Sequence, residues 1–103
     1  RLRVAQEEIY GPVLVVIPYQ DEQEAVSIAN DSPFGLGGTI FTSDPDRGAA
    51  LASRVETGSM GVNFFGNNQA APFGGWKDSG IGIEYGPEGI SAYTRLQSVH
   101  RLK

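Results

Sequence analysis

The sequence contains no cysteine, one histidine and no long hydrophobic run. Without cysteine, disulfides, thiolate catalysis and cysteine-ligated metal centres are excluded within the chain. A single histidine, His100, excludes a multi-histidine zinc site. No segment has the length of a membrane-spanning helix, and no signal-peptide pattern is present. Positive charge is also scarce: 8 Lys and Arg against 12 Asp and Glu give a net charge of −4. That balance argues against nucleic acid as the main partner. Asn30-Asp31-Ser32 spells a glycosylation sequon, but Pro33 follows it. No membrane is implied, and the cytoplasm is the expected compartment.

What is present is glycine. There are 14 in 103 residues, about twice the usual share of roughly 7%, and most lie from Gly58 onward. The densest stretch is Pro72-Phe73-Gly74-Gly75-Trp76-Lys77-Asp78-Ser79-Gly80. Glycine belongs where a backbone takes unusual dihedrals or passes close to something else. With two aromatics beside it, this loop is expected to pack around a specific partner. The opening Arg1-Leu2-Arg3-Val4, without an initiating Met or a cap signal, reads as the continuation of a longer polypeptide.

The first half alternates elements. Residues 13–17 (Val-Leu-Val-Val-Ile) form a β-branched apolar run ending at Pro18, the pattern of a strand buried on both faces. Asp21 offers an N-cap with Glu24 as capping-box partner, for a helix running to about Asn30. A second strand is expected over residues 36–42, where Gly37 and Gly38 suggest close packing. Asp44-Pro45 then starts a second helix. Its apolar face is Leu51, Ala52 and Val55, with Gly48 one turn earlier, and Gly58 ends it. Residues 59–63 give a third strand. The order β-α-β-α-β with short connections predicts parallel strands and right-handed crossovers. Two helices do not cover both faces of such a sheet, so the unit is expected to complete a larger α/β domain.

Beyond Asn63 the pattern becomes loop chemistry, expected at the carboxyl ends of the strands, where open α/β sheets bind ligands. Residues 87–93 suggest one or two helical turns. Residues 94–100 read as an edge strand suited to subunit pairing. Gly80-Ile81-Gly82 does not make a dinucleotide fingerprint, since the next glycine, Gly86, falls one position late and the strand-to-helix context is missing.

Glu7-Glu8-Ile9-Tyr10-Gly11-Pro12-Val13, Ser32-Pro33-Phe34-Gly35-Leu36, Gly61-Val62-Asn63, the Pro72–Gly80 run, Glu84-Tyr85-Gly86 and Ala92-Tyr93-Thr94 resemble, in order, the landmarks of the NAD(P)-dependent aldehyde dehydrogenases. The resemblance covers roughly residues 5–99. It implies that residues 1–92 are the C-terminal part of the α/β catalytic domain and residues 93–103 an oligomerisation strand. The Rossmann cofactor domain and the rest of the catalytic domain are then absent from this chain. It further implies oxidation of an aldehyde to a carboxylic acid with NAD or NADP.

By the same resemblance, Glu8 corresponds to a glutamate that accepts hydrogen bonds from the nicotinamide ribose, a task suited to an acceptor-only carboxylate. Tyr10 stands where an aromatic, commonly Phe, lies against the nicotinamide. Phe73 corresponds to a residue lining the aldehyde tunnel, and Phe64 and Phe65 to the loop at its mouth. Glu84 corresponds to a glutamate that relays protons to or from the general base. Lys77 is expected to be structural, and Asn67-Asn68-Gln69 to be turn formers. The nucleophilic cysteine and general base would lie in the upstream part of the same polypeptide, which becomes a partner of this segment alongside the aldehyde and a second copy in a dimer or tetramer. Alone, the segment is expected to be inactive. The competing reading is a non-catalytic interaction or scaffold module derived from such an enzyme.

Overall fold

The structure, a computed structural model, describes residues 2–103. Helices α1 (Glu22–Asn30), α2 (Pro45–Ala52) and α3 (Gly86–Ile90) alternate with strands β1 (Phe34–Gly35), β2 (Gly37–Ile40), β3 (Ser59–Val62) and β4 (Trp76–Lys77). Short 3₁₀ turns lie at Arg3–Ala5 and Ser91–Tyr93. The strands form two small sheets. β2 and β3 are parallel, in register from Gly37 opposite Ser59 to Ile40 opposite Val62, with α2 as the crossover. β1 and β4 are antiparallel, Phe34 facing Lys77 and Gly35 facing Trp76.

Both long helices begin as the sequence predicts. The Asp21 carboxylate accepts from the Glu24 amide at 2.8 Å. The capping box closes one residue early, however, because the Glu24 carboxylate accepts from the Gln20 amide rather than from that of Asp21. Asp44 caps α2 by accepting from the Arg47 amide at 3.0 Å, with Pro45 in the first turn. α2 ends at Ala52 and not near Gly58. Two tight bonds, Arg54 amide to Leu51 carbonyl and Val55 amide to Ala52 carbonyl, carry the turn on far enough to bring Val55 onto the apolar side.

The parallel pair has two unlike faces. Gly38, Ile40, Met60 and Val62 turn toward α2. A Cβ on Gly48 would sit 2.8 Å from Val62 Cγ1 and from Thr42 Cγ2, so glycine is what lets the helix rest on the sheet. The opposite face carries the small residues Gly37, Thr39, Ser59 and Gly61.

Two expected strands do not form among the described residues. Residues 13–17 pair with nothing, and Leu14 and Val16 are 86% and 80% exposed. A run apolar on both faces becomes a strand only between neighbours, and no strand edge lies beside it. Residues 94–100 are likewise unpaired and exposed. The β-α-β-α-β expectation is therefore met only as β2-α2-β3, while β4 arises in a stretch read as pure loop.

Burial agrees. Among the described residues Val26 is the one buried large apolar side chain. The chain exposes 8791 Å², against about 5,600 Å² for a compact monomer of this size. Its radius of gyration is 18.1 Å, where about 13 Å is usual for this length.

Candidate functional site

The Gly-rich loop is fastened to the α/β unit from several directions. A Cβ on Gly58 would lie 1.5 Å from the Gly74 carbonyl oxygen, so the turn before β3 and the loop touch backbone to backbone. The Asp78 amide donates to the Pro33 carbonyl at 2.9 Å, and the Gly35 amide donates to Ser79 Oγ at 3.1 Å. Lys77 has a positive φ of 51°. Its ammonium donates to the carbonyls of Asn30 at 2.8 Å and Ser32 at 3.1 Å, and pairs with Glu56 at 2.7 Å. A cation at the C-terminal end of α1 meets carbonyls that the helix itself leaves unsatisfied. The structural role expected of Lys77 is thus made concrete.

Asn30 completes this joint. Its Nδ2 donates to the Arg54 carbonyl at 2.9 Å, and its Oδ1 accepts from the Glu56 amide at 2.8 Å. The sequence marked Asn30 only as the end of a helix and the first residue of a sequon. The signal for more was its chemistry: an amide carries both donor and acceptor and can bridge two chain segments.

Phe73 and Glu84 are brought together. Each amide donates to the other's carbonyl, at 2.7 and 2.8 Å, in an isolated antiparallel bridge. The half-buried Phe73 ring stands 6.1 Å from the Tyr85 ring at 42°, a tilted aromatic pair. Tyr85 has φ 61° and caps α3, and the Gly86 amide donates to the Gln69 carbonyl at 3.1 Å. The bridge fixes the Glu84 backbone next to an aromatic wall and leaves its side chain exposed.

Phe64 and Phe65 follow β3 after a single residue, Asn63. Asn63 has φ 55°, and its side chain joins Thr42 at both backbone groups: Oδ1 accepts from the amide and Nδ2 donates to the carbonyl, each at 2.7 Å. The chain then folds back, so that Thr39 Oγ1 donates to the Phe64 carbonyl at 3.4 Å. Both rings remain exposed. Asn68 accepts from the Ala70 amide at 3.0 Å, the turn-forming role expected of it.

Glu8 lies at a cavity of about 750 Å³ bounded by α1, β2, the turn after α2 and residues Asp78 and Ser79 of the Gly-rich loop. Its floor is apolar, formed by Val26, Leu51, Val55 and Met60. The Glu8 carboxylate is exposed and has no ion pair among the described residues. Tyr10 has φ 53° and is 94% exposed. No ring contact or side-chain hydrogen bond joins Glu8 and Tyr10 to Phe73, or either group to Phe64 and Phe65. The candidate residues thus occupy three separately held places. Among the described residues no cluster of three His, Cys, Asp or Glu is arranged for a metal, and no helix is long and apolar enough to cross a membrane.

Known proteins resemble this chain in sequence and in fold. The chain is 54% identical over 102 residues to the geranial dehydrogenase of Castellaniella defragrans, matching 99% of this chain and 21% of that protein. It superposes on a Mycobacterium tuberculosis aldehyde dehydrogenase complexed with NAD+ with a TM-score of 0.86 at 48% identity, over 89% of this chain and 19% of that one. A betaine aldehyde dehydrogenase from Staphylococcus aureus, in complex with NAD+, gives a TM-score of 0.85 at 42% identity over 89% of this chain and 18% of its own. The chain therefore spans about a fifth of the length of these relatives. The model of the aldehyde dehydrogenase family matches residues 1–99. A match over nearly the whole chain shows that it belongs to the aldehyde dehydrogenase family.

Proposed function

We propose that this chain is the C-terminal part of the catalytic domain of an enzyme oxidising an aldehyde to a carboxylic acid with NAD+ or NADP+. The observation that carries the reading is the Phe73–Glu84 backbone bridge, which sets a glutamate opposite a residue of an aromatic pair, on a loop anchored to the sheet. An uncharged aldehyde passes along such a pair, and its apolar surface excludes water from the reacting carbon. Glu84, held by its backbone, takes up or delivers a proton at the end of that path.

The residues present fit a nicotinamide cofactor. Glu8 is an exposed carboxylate with no described ion-pair partner, ready to accept from two ribose hydroxyls. Tyr10 presents an open aromatic face from a backbone conformation that bulky residues rarely adopt. A nicotinamide held by these two residues would supply the hydride acceptor for the oxidation. The chain has no cysteine, so a thiolate nucleophile has to come from another part of the polypeptide. The exposed apolar run at residues 13–17 supports such a completing part, and the unpaired, basic and apolar residues 93–103 support pairing with a second copy in a dimer or tetramer. A cytoplasmic location accompanies this reading.

The test compares the natural full-length product with residues 1–103 alone. The full-length product should form NAD(P)H with aldehydes, and the isolated segment should not. A natural product of about this chain's own mass, without NAD(P)H formation on a panel of aliphatic and aromatic aldehydes, would instead support the scaffold alternative. Glu8→Gln in the full-length product should lower kcat/KM for the cofactor about tenfold, since a neutral acceptor replaces a charge-assisted one. Unchanged cofactor kinetics would remove Glu8 from the site.

A further inference from the structure

We infer that Asn63 is a positioning residue for the aldehyde, whose side-chain amide holds the Phe64–Phe65 segment as a preset apolar wall at the carboxyl end of the parallel strands. This rests on the proposed dehydrogenase reading and extends it to a residue with no role assigned so far.

The parallel ladder of β2 and β3 ends when the Asn63 amide donates to the Ile40 carbonyl at 2.8 Å. One residue further the chain would leave the sheet with its backbone groups unpaired. Instead the Asn63 side chain supplies a donor and an acceptor to Thr42, both at 2.7 Å. In a continued parallel ladder the Thr42 amide and carbonyl would bond peptide groups of two different residues on the facing strand, and here one side chain meets both. At the same position φ is 55°, a left-handed conformation that Asn tolerates better than other side chains of its size. Asn combines that tolerance with a two-way hydrogen-bonding group.

The consequence falls on the two phenylalanines. The reversed chain lays the Phe64 carbonyl over Gly61, where a Cβ would come within 1.7 Å of it. The Phe65 ring reaches back to Gly37, its edge 4.0 Å from where a Cβ would stand. The small-residue face of the sheet is thus the bed on which this segment lies. The rings themselves are 68% and 73% exposed. An exposed aromatic pair on an anchored backbone is what a ligand-facing wall requires, because little ordering remains to be done when the ligand arrives. Asn63 is itself exposed, so its place is explained by these bonds and not by burial.

The experiment uses the complete polypeptide carrying this chain, with Asn63→Gly and Asn63→Asp. Glycine keeps access to positive φ and deletes the amide. Aspartate keeps the acceptor for the Thr42 amide and loses the donor to its carbonyl. Three readouts are taken: amide hydrogen exchange over residues 64–70, steady-state constants for an apolar aldehyde and for the cofactor, and the melting temperature. Asn63→Gly should speed loop exchange about tenfold, for one to two lost hydrogen bonds. It should raise KM for the aldehyde by a similar factor, with kcat and the cofactor KM within about twofold. Asn63→Asp should lie between, and carries the same readouts if the glycine variant does not fold. Unchanged loop exchange overturns the inference, as does faster exchange with an unchanged aldehyde KM. So does a fall in melting temperature with parallel losses in every kinetic constant. If the unmodified polypeptide oxidises no aldehyde, the dehydrogenase reading fails and the substrate role fails with it. Exchange would then decide separately whether Asn63 holds the segment.

Discussion

Residues 30–80 and the two arms at residues 9–19 and 94–103 are built on opposite terms. In the middle, polar groups reach across the chain to specific partners: Asn30 to Arg54 and Glu56, Asn63 to Thr42, Lys77 to the end of α1. Glycines there bring backbones into direct contact. The arm at residues 9–19 has the more apolar sequence, neither arm makes any of these bonds, and the large side chains of both stand in solvent. Hydrophobicity gives a segment a reason to be buried, but burial needs a surface to receive it. Close approach and bridging amides fix geometry with little core. The middle can therefore hold a loop in place, while the arms await neighbours.

The sharpest way to break the middle is at Gly58. Valine there would place carbon 1.5 Å from the Gly74 carbonyl, a backbone atom that cannot swing aside. In the complete polypeptide Gly58→Val should cost more than about 4 kcal/mol, the range of severe packing faults, seen as loss of soluble protein or a large fall in melting temperature. Near-native stability would mean the loop does not lie against that turn. The arms predict a contrast. Leu14→Asp should leave the isolated chain unharmed and more soluble, since Leu14 is already 86% exposed. In the complete polypeptide the same change should cost about 3 kcal/mol or more, as a charge forced into a covered strand. Equal tolerance in both settings would sink the view of residues 13–17 as a strand lacking its neighbours.

These two sites also show what a sequence reveals. The caps of α1 and α2, the parallel β2-α2-β3 order and the turns near residues 86–93 were legible because capping residues such as Asp21 and Asp44, and the prolines and glycines that start and stop elements, act locally. The family landmarks gave Glu8, Phe73 and Glu84, and the structure pairs the last two through their backbones. Residues 13–17 carry a strand's pattern but form none in this chain, because pairing depends on a neighbour, which no local pattern supplies. β4 was hidden among glycines because two residues are too few for periodicity. The bridging of Asn30 and Asn63 was invisible for a third reason: their partners lie 24 and 21 residues away.

A milder probe of the middle is Lys77→Met, which keeps much of the apolar stem and removes the ammonium. Two carbonyls at the end of α1 and the Glu56 carboxylate lose a charged donor. Bonds to charged groups contribute about 1.5 to 3 kcal/mol. The Glu56 side chain is 52% exposed, so water screens that part, and a loss of about 2 kcal/mol is expected from chemical denaturation. The variant should also loosen the Gly-rich loop, read as faster exchange at Asp78 and Ser79. A loss confined to α1, with the loop unaffected, would show that the joint works in one direction only.

The smallest effect is expected at the shortest ion pair among the described residues. Arg47 meets Glu22 at 2.6 Å and links α2 to α1 directly, yet the two side chains are 65% and 42% exposed. Water competes for both charges, and ordering two long side chains offsets most of the attraction. Arg47→Gln should therefore change stability by less than about 0.5 kcal/mol, and that small difference should vanish in high salt. The comparison with Lys77 is then between a short pair in solvent and a cation surrounded by carbonyls. If Arg47→Gln cost as much as Lys77→Met and the cost persisted in salt, α1 would be held to the unit by its side and not by its C-terminal end, and the joint at Asn30 would lose its place as the anchor of the Gly-rich loop.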